Sequence, residues 1–210
     1  LFEIALRRGW SALAKECLQL SLMVSHRQWL SHSPLRQFLP WKLKADVVSR
    51  LEKKDIPWDR YSDLTPRDLG ELIRNPKEGK KLYNFVHTLP KLDLQAHVQP
   101  ISRNCLRVEL IINADFRWDP KIHHHAEPFW IFCEDCDGET ILHHEYFLLK
   151  QKYAEEESSV TFYVTLTDPL PPQYFIRVFS DRWLHSEARL PVSFRHLHMP
   201  AKFPAPTELP

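Results

Sequence analysis

Near Pro90-Lys91 the spacing of apolar residues changes from a period of about 3.6 to a period of about 2, and no other feature constrains the fold as strongly. A chain of this kind builds helices first and strands afterwards, which predicts an α plus β protein with at least two units.

On the helical side, apolar residues from Leu1 to about Leu39 fall at helical steps: Leu1, Ile4 and Leu6, a pause at Gly9, then Leu13, Cys17, Leu20 and Val24. This stretch reads as the end of a helical bundle. After Ser33-Pro34 and Pro40 a second helical cluster runs from Ala45 to Thr88. Val47, Val48 and Leu51 mark one short amphipathic helix, closed by Ile56-Pro57. Thr65 is placed as the N-cap of the next, with Pro66 at the first helical position and Asp68 completing a capping box. Asn75-Pro76 opens the last, in which Leu82, Phe85, Val86 and Leu89 share a face. Short helices in such close succession suggest a helix-hairpin-helix type of packing.

On the strand side the alternation is regular: Leu92, Leu94, Ala96 and Val98; Leu106, Val108, Leu110 and Ile112; Val160, Phe162, Val164 and Leu166. With Pro128–Cys133, Ile141–Leu149, Gln173–Ser180 and Leu190–Leu197 the number of strands reaches about seven. That number and spacing are expected of an immunoglobulin or fibronectin-III-like sandwich. The division is therefore residues 1–40 for the bundle end, 41–90 for the helix-loop-helix domain, 91–200 for the sandwich and 201–210 for a proline-rich linker.

Hydrophobic residues at 43% and charged residues at 26% match an ordinary globular protein. No apolar run reaches the roughly 18 residues needed to cross a bilayer, so no membrane partner is expected. The chain starts at Leu1 inside an apolar-periodic segment, without a leader, and stops in a proline-rich stretch, so it is expected to be a piece of something longer. Four cysteines without a secretory leader fit free thiols in a reducing compartment. The formal net charge of +1 hides an asymmetry. Residues 1–90 carry 16 Lys+Arg against 10 Asp+Glu and residues 91–210 carry 12 against 17, giving +6 and −5. The first part is thus the side suited to an anionic partner.

Several chemistries fail on spacing. Only Gly9, Gly70, Gly79 and Gly138 exist, and no two lie at P-loop, dinucleotide-fold or nucleophile-elbow spacing, which leaves no nucleotide site. His143-His144-Glu145 lacks a second ligand one helical turn on, where Leu148 stands, and alternates like a strand, so its histidines are expected on a strand surface. Cys133-Glu134-Asp135-Cys136 has half the spacing of a zinc site, with His123-His124-His125 nearby, but no second pair completes it. Asp135 to Glu139 reads instead as a polar turn with Cys133 in the core, and no metal is expected. The basic residues Lys77, Lys80 and Lys81 lie opposite Leu82 and Phe85 on the last short helix, while Arg74, Asn75 and Gly79 are placed in the turn leading into it. Such a turn offers backbone N–H groups and lysine charges to phosphates; the same residues also fit a solvated lysine face.

The wording of certain segments adds to this. Leu1-Phe2-Glu3-Ile4-Ala5-Leu6, Pro34-Leu35-Arg36-Gln37-Phe38 and Gly70-Glu71-Leu72-Ile73-Arg74 resemble the accessory module behind the motor of large superfamily-two RNA helicases. So do Ile141 to Lys150, Pro169 to Arg177, Ser180 to Leu184 and Leu190 to Leu197 leading to Pro206-Thr207-Glu208-Leu209. Together they resemble the Sec-sixty-three homology unit, in the version found in the first cassette of the spliceosomal helicase that unwinds paired small nuclear RNAs. The equivalent unit of the transcription-coactivator and ribosome-rescue helicase shares many of these motifs. Leu39 to Leu43 and His123 to Ala126 depart from the pattern.

The resemblance implies a three-part accessory module without a catalytic site or cofactor of its own, in a nuclear parent that uses ATP and magnesium in pre-mRNA splicing. It implies the RecA-like core of the same chain, single-stranded small nuclear RNA and spliceosomal proteins as partners. The strand-gripping helix of the family would lie mostly before Leu1. The RNA contact left in this chain would be the hairpin with Arg74, Lys77, Gly79, Lys80 and Lys81. A protein-docking scaffold is the alternative role.

Overall fold

The computed structural model describes residues 1–54, 56–167, 169–195 and 197. Two helices come first, α1 (Phe2–Arg8) and α2 (Ser11–His26). Gly9, at φ 72°, takes the left-handed conformation that ends α1, where a residue with a Cβ would be strained. A 3-10 stretch follows at Pro34–Trp41, then α3 (Ala45–Glu52), a second 3-10 stretch at Trp58–Asp63, α4 (Pro66–Leu72) and α5 (Pro76–Val86). The seven strands are β1 (Leu92–Ser102), β2 (Cys105–Ala114), β3 (Ala126–Glu134), β4 (Ile141–Lys150), β5 (Ser158–Thr165), β6 (Gln173–Ser180) and β7 (Glu187–Ser193). A one-turn helix, α6 (Pro120–His123), lies between β2 and β3.

The strands form two antiparallel sheets, one ordered β1-β2-β5 and the other β4-β3-β6-β7. Their facing surfaces share a core: Leu94, Val108, Leu110 and Phe162 from the first meet Ile131, Cys133, Ile176 and Val178 from the second. The alternation in sequence thus matches burial on one face of each strand. The last strand begins three residues earlier than the apolar spacing from Leu190 suggests, because Glu187 and Ala188 already pair with Phe179 and Val178. His196 and residues 198–210, including the expected linker, lie outside the described residues.

The helices do not stand apart from the sheets. Ala5, Leu6, Ala14, Leu18 and Leu22 pack on the outer face of the four-stranded sheet, against Phe132, Ile141, Phe179 and Leu184. This explains why β3 is apolar without a break from Phe129 to Cys133: both of its faces are covered. Backbone bonds reinforce the seam, with Ser11 N–H donating to the Glu139 carbonyl and Ile141 N–H donating to the Gly9 carbonyl, both at 2.8 Å.

This packing corrects one expectation for α2. The stripe Leu13, Cys17, Leu20 and Val24 is not its buried face, since Leu13 is 48%, Leu20 51% and Val24 70% exposed. The neighbouring stripe through Ala14, Leu18 and Leu22 docks on the sheet, and the small Ala14 lets the helix approach closely.

The second helical group has its own core of Leu35, Phe38, Val48, Leu51, Leu69 and Leu82, which Ile122 and Trp183 of the β region complete. Trp183 is the joint. Its indole packs 5.0 Å from the Phe38 ring, and its Nε1 donates to Glu127 at 3.2 Å. Glu127 also meets Arg182 at 3.1 Å. Burial, opposed by Arg182 and then by Trp183, lifts the Glu127 carboxyl to about 7. Gln37 closes the seam by accepting from Leu184 N–H at 2.9 Å and donating to the Leu184 carbonyl at 3.2 Å.

Candidate nucleic-acid interface

The hairpin between α4 and α5 is built by local rules. Thr65 accepts from Asp68 N–H at 3.2 Å and Asp68 accepts from Thr65 N–H at 3.0 Å, the reciprocal capping box. Pro66 and Pro76 each occupy the start of their helix, where a missing N–H costs nothing. Arg74 sits in the turn at φ 52°, a left-handed conformation unusual for an arginine, and its side chain is exposed. Arg50 reaches over from α3 and donates to the Ile73 carbonyl at 3.0 Å, which steadies the end of α4.

The five residues singled out in the sequence separate into two groups. Arg74, Lys77 and Lys80 are exposed and have no salt bridge among the described residues. They stand around the start of α5, where Asn75 makes no side-chain cap bond and the positive end of the helix favours an anion. The two others serve the fold. Lys81 donates to the Lys42 carbonyl at 2.9 Å and lies 4.0 Å from Glu78.

Gly79 is buried within α5 and faces α4. A Cβ placed there would come within 2.3 Å of the Pro66 carbonyl oxygen and 2.8 Å of Gly70 Cα. The two glycines let α4 and α5 cross in direct backbone contact, so Gly79 offers nothing to a ligand.

Glu78, in the first turn of α5, would repel phosphate if left alone. Lys44 meets it at 2.8 Å and, by that bond and its charge, holds the carboxyl below its ordinary value. Lys44 and Arg50 had no signal in the sequence, because they act across 34 and 23 residues.

The cysteine and histidine motifs are taken up by the fold. Cys133 is buried in the core and burial pushes its thiol up to about 12, while Cys136 lies in the turn between β3 and β4. His123 is fully buried. Its Nδ1 accepts from Asp119 N–H at 3.0 Å, so Nε2 carries the proton and donates to the Thr88 carbonyl at 3.0 Å. Burial holds this imidazole down to about 4, and both ring nitrogens are committed. His124 and His125 are exposed. His144 faces solvent on the edge strand β4, but His143 turns inward and stacks on Phe162 at 4.5 Å. That corrects the expectation that both are surface residues. Trp183 is core and Trp130 is half-buried, its Nε1 donating to Asp181 at 3.1 Å. Among the described residues no helix is long and apolar enough to cross a membrane.

Comparison with known families matches residues 1–193 to the Sec63 Brl domain. The chain belongs to that family. Over 209 residues it is 58% identical to the DExH-box ATP-dependent RNA helicase DExH12 of Arabidopsis thaliana. It is 56% identical to the human U5 small nuclear ribonucleoprotein 200 kDa helicase and 52% identical to the pre-mRNA-splicing factor brr2 of Schizosaccharomyces pombe. Each match covers 100% of this chain and 10% of the relative, so this Sec63 Brl domain chain spans about a tenth of those proteins. Among solved structures, β-glucosidase 3B of Thermotoga neapolitana with glucose aligns at a TM-score of 0.28 and 16% identity, over 51% of this chain and 16% of its own, too low to bear on function.

Proposed function

We propose that this Sec63 Brl domain is a non-catalytic accessory module of a spliceosomal ATP-dependent RNA helicase, guiding the unwound single strand and packing against the RecA-like motor. The parent is read as nuclear, with ATP and magnesium used by its motor and not by this piece. The observation that carries the strand contact is the exposed trio Arg74, Lys77 and Lys80 at an uncapped helix start. Identities of 52–58% to helicases and a splicing factor support the setting.

In the same reading residues 1–40 end a helical bundle whose earlier part covers the bare stripe of Leu13, Leu20 and Val24. Residues 41–90 are the helix-loop-helix domain. The order β1-β2-β5 opposite β4-β3-β6-β7 supports an immunoglobulin or fibronectin-III-like sandwich from residue 91 onward.

Fluorescence anisotropy with single-stranded RNA at several salt concentrations tests the strand contact. The triple variant Arg74→Ala, Lys77→Ala, Lys80→Ala should weaken binding and flatten the slope of log affinity against log salt by about 2, from roughly 0.7 for each phosphate that is no longer neutralised. An unchanged slope refutes the trio as the contact. No binding up to roughly 100 μM, the weak end of non-specific association, favours a protein-docking scaffold instead.

A further inference from the structure

Between the helix-loop-helix elements and the sheets lies a cleft of about 460 Å³. Its apolar lining comes from Leu35, Val86, Leu89 and Pro90. Trp58, 36% exposed, also lines it, with its ring 5.7 Å from that of His185.

The charged lining is one-sided: Asp59, Asp63, Asp115 and Glu187 against the single cation Lys91, among the described residues. Asp115 is held by Lys91 at 2.9 Å and Glu187 by Lys15 at 3.4 Å. Asp59 and Asp63 are exposed, have no ion pair among the described residues, and line the cleft from the same 3-10 stretch as Trp58. Burial holds both histidines of the lining, His87 and His185, below the ordinary imidazole value, which disfavours a competing positive charge. Each also has a buried Nε2 without a hydrogen-bond partner among the described residues.

A volume of this size suits a side chain with its flanking backbone, being near the lower part of the roughly 300–1,000 Å³ range of ligand sites. The lining repels phosphate and attracts cations. Aromatic face and carboxylates together suit a guanidinium, which stacks on rings and forks onto carboxylates where an ammonium does neither as well. We infer that the cleft binds an arginine-bearing segment of a protein partner, with the guanidinium over Trp58 and held by Asp59 and Asp63. This site shares no residue with the basic hairpin and does not rest on the RNA reading.

The test titrates the 210-residue chain with a fluorescein-labelled decamer of alternating arginine and glycine, beside a peptide with citrulline in place of each arginine. The arginine peptide should bind and shift the Trp58 indole N–H resonance, and the citrulline peptide should bind at least tenfold more weakly. Asp59→Asn with Asp63→Asn, near-isosteric changes on the surface, should cost at least tenfold. The remote pair Glu155→Gln with Glu156→Gln should cost less than twofold. Equal losses from the two double variants would mean diffuse charge attraction and overturn the assignment. So would an unmoved indole, equal binding of the citrulline peptide, or displacement of the peptide by oligouridylate RNA. The indole readout uses the unsubstituted protein and stands whether or not a variant folds.

Discussion

Replacing Gly79 by alanine sets two effects against each other with opposite signs. As a mid-helix substitution, Gly→Ala ordinarily stabilises by about 1 kcal/mol, since alanine loses less backbone freedom. Here the new methyl would lie 2.3 Å from the Pro66 carbonyl oxygen and 2.8 and 2.9 Å from Gly70 Cα and N. All three are backbone atoms, so no flexible side chain can swing away and α4 must separate from α5. Overpacking costs about 1–3 kcal/mol, and contacts this short to backbone put the cost near the upper end, about 3 kcal/mol. The net loss is about 2 kcal/mol, or a fall in Tm of roughly 4–8 °C for a chain of this length. Gly70→Ala should lose less, because its nearest contact, Pro76 Cα, is 3.0 Å away. Thermal unfolding followed by circular dichroism decides the matter. A Tm for Gly79→Ala equal to or above that of the parent would refute the claim that the glycine pair sets the helix crossing.

Three further outcomes follow from the geometry. Phe132→Ala should lose about 3–5 kcal/mol in urea unfolding, as for a filled core site, although Phe132 faces away from the space between the sheets; a loss below about 1 kcal/mol would mean that α2 does not dock there. Thr65→Ala removes one half of the capping box and should cost about 1 kcal/mol in the same assay. The third concerns pH. Glu127, lifted to about 7, binds a proton more readily folded than unfolded, so its contribution falls as pH rises from about 4.5 to 7. His123, lowered to about 4, does the reverse, and its contribution rises with pH from about 4 to 6.5. Each is worth about 3 kcal/mol across its window, and they nearly cancel. Relative to the unsubstituted protein, His123→Gln should therefore make the slope of stability against pH more negative between about pH 4 and 6.5, and Glu127→Gln should make it more positive between about pH 4.5 and 7; differences of the same sign for the two variants would contradict the assignments.

Elements carried by short-range signals are legible in the order of the residues. The capping box at Thr65 and Asp68, the prolines at helix starts, the turn from Asp135 to Glu139 and the seven strands all stand where spacing puts them, with β7 shifted by three residues. The exposed part of the basic hairpin is equally visible, since Lys77 and Lys80 follow from helical periodicity and Arg74 from the turn that Asn75-Pro76 marks. Lys81 groups with the lysines by period and Gly79 with the turn residues, and the structure separates both from the trio because their partners, Pro66, Gly70 and Lys42, approach from other elements.

The amino-acid sequence alone determined the class of each element and the change from helix to strand near Pro90, because hydrophobic period and capping are properties of neighbours within a few residues. It could not choose between the two apolar stripes of α2, since both are spaced for a helix and only the sheet, through Phe132 and Phe179, selects Ala14, Leu18 and Leu22. Nothing in the order of residues marks Trp183 and Glu127 as the joint between helices and strands, or Trp58 and His185 as neighbours across a cleft. Those contacts link residues 56 and 127 positions apart, and burial, which sets their energetics and their charge states, exists only once the elements have packed.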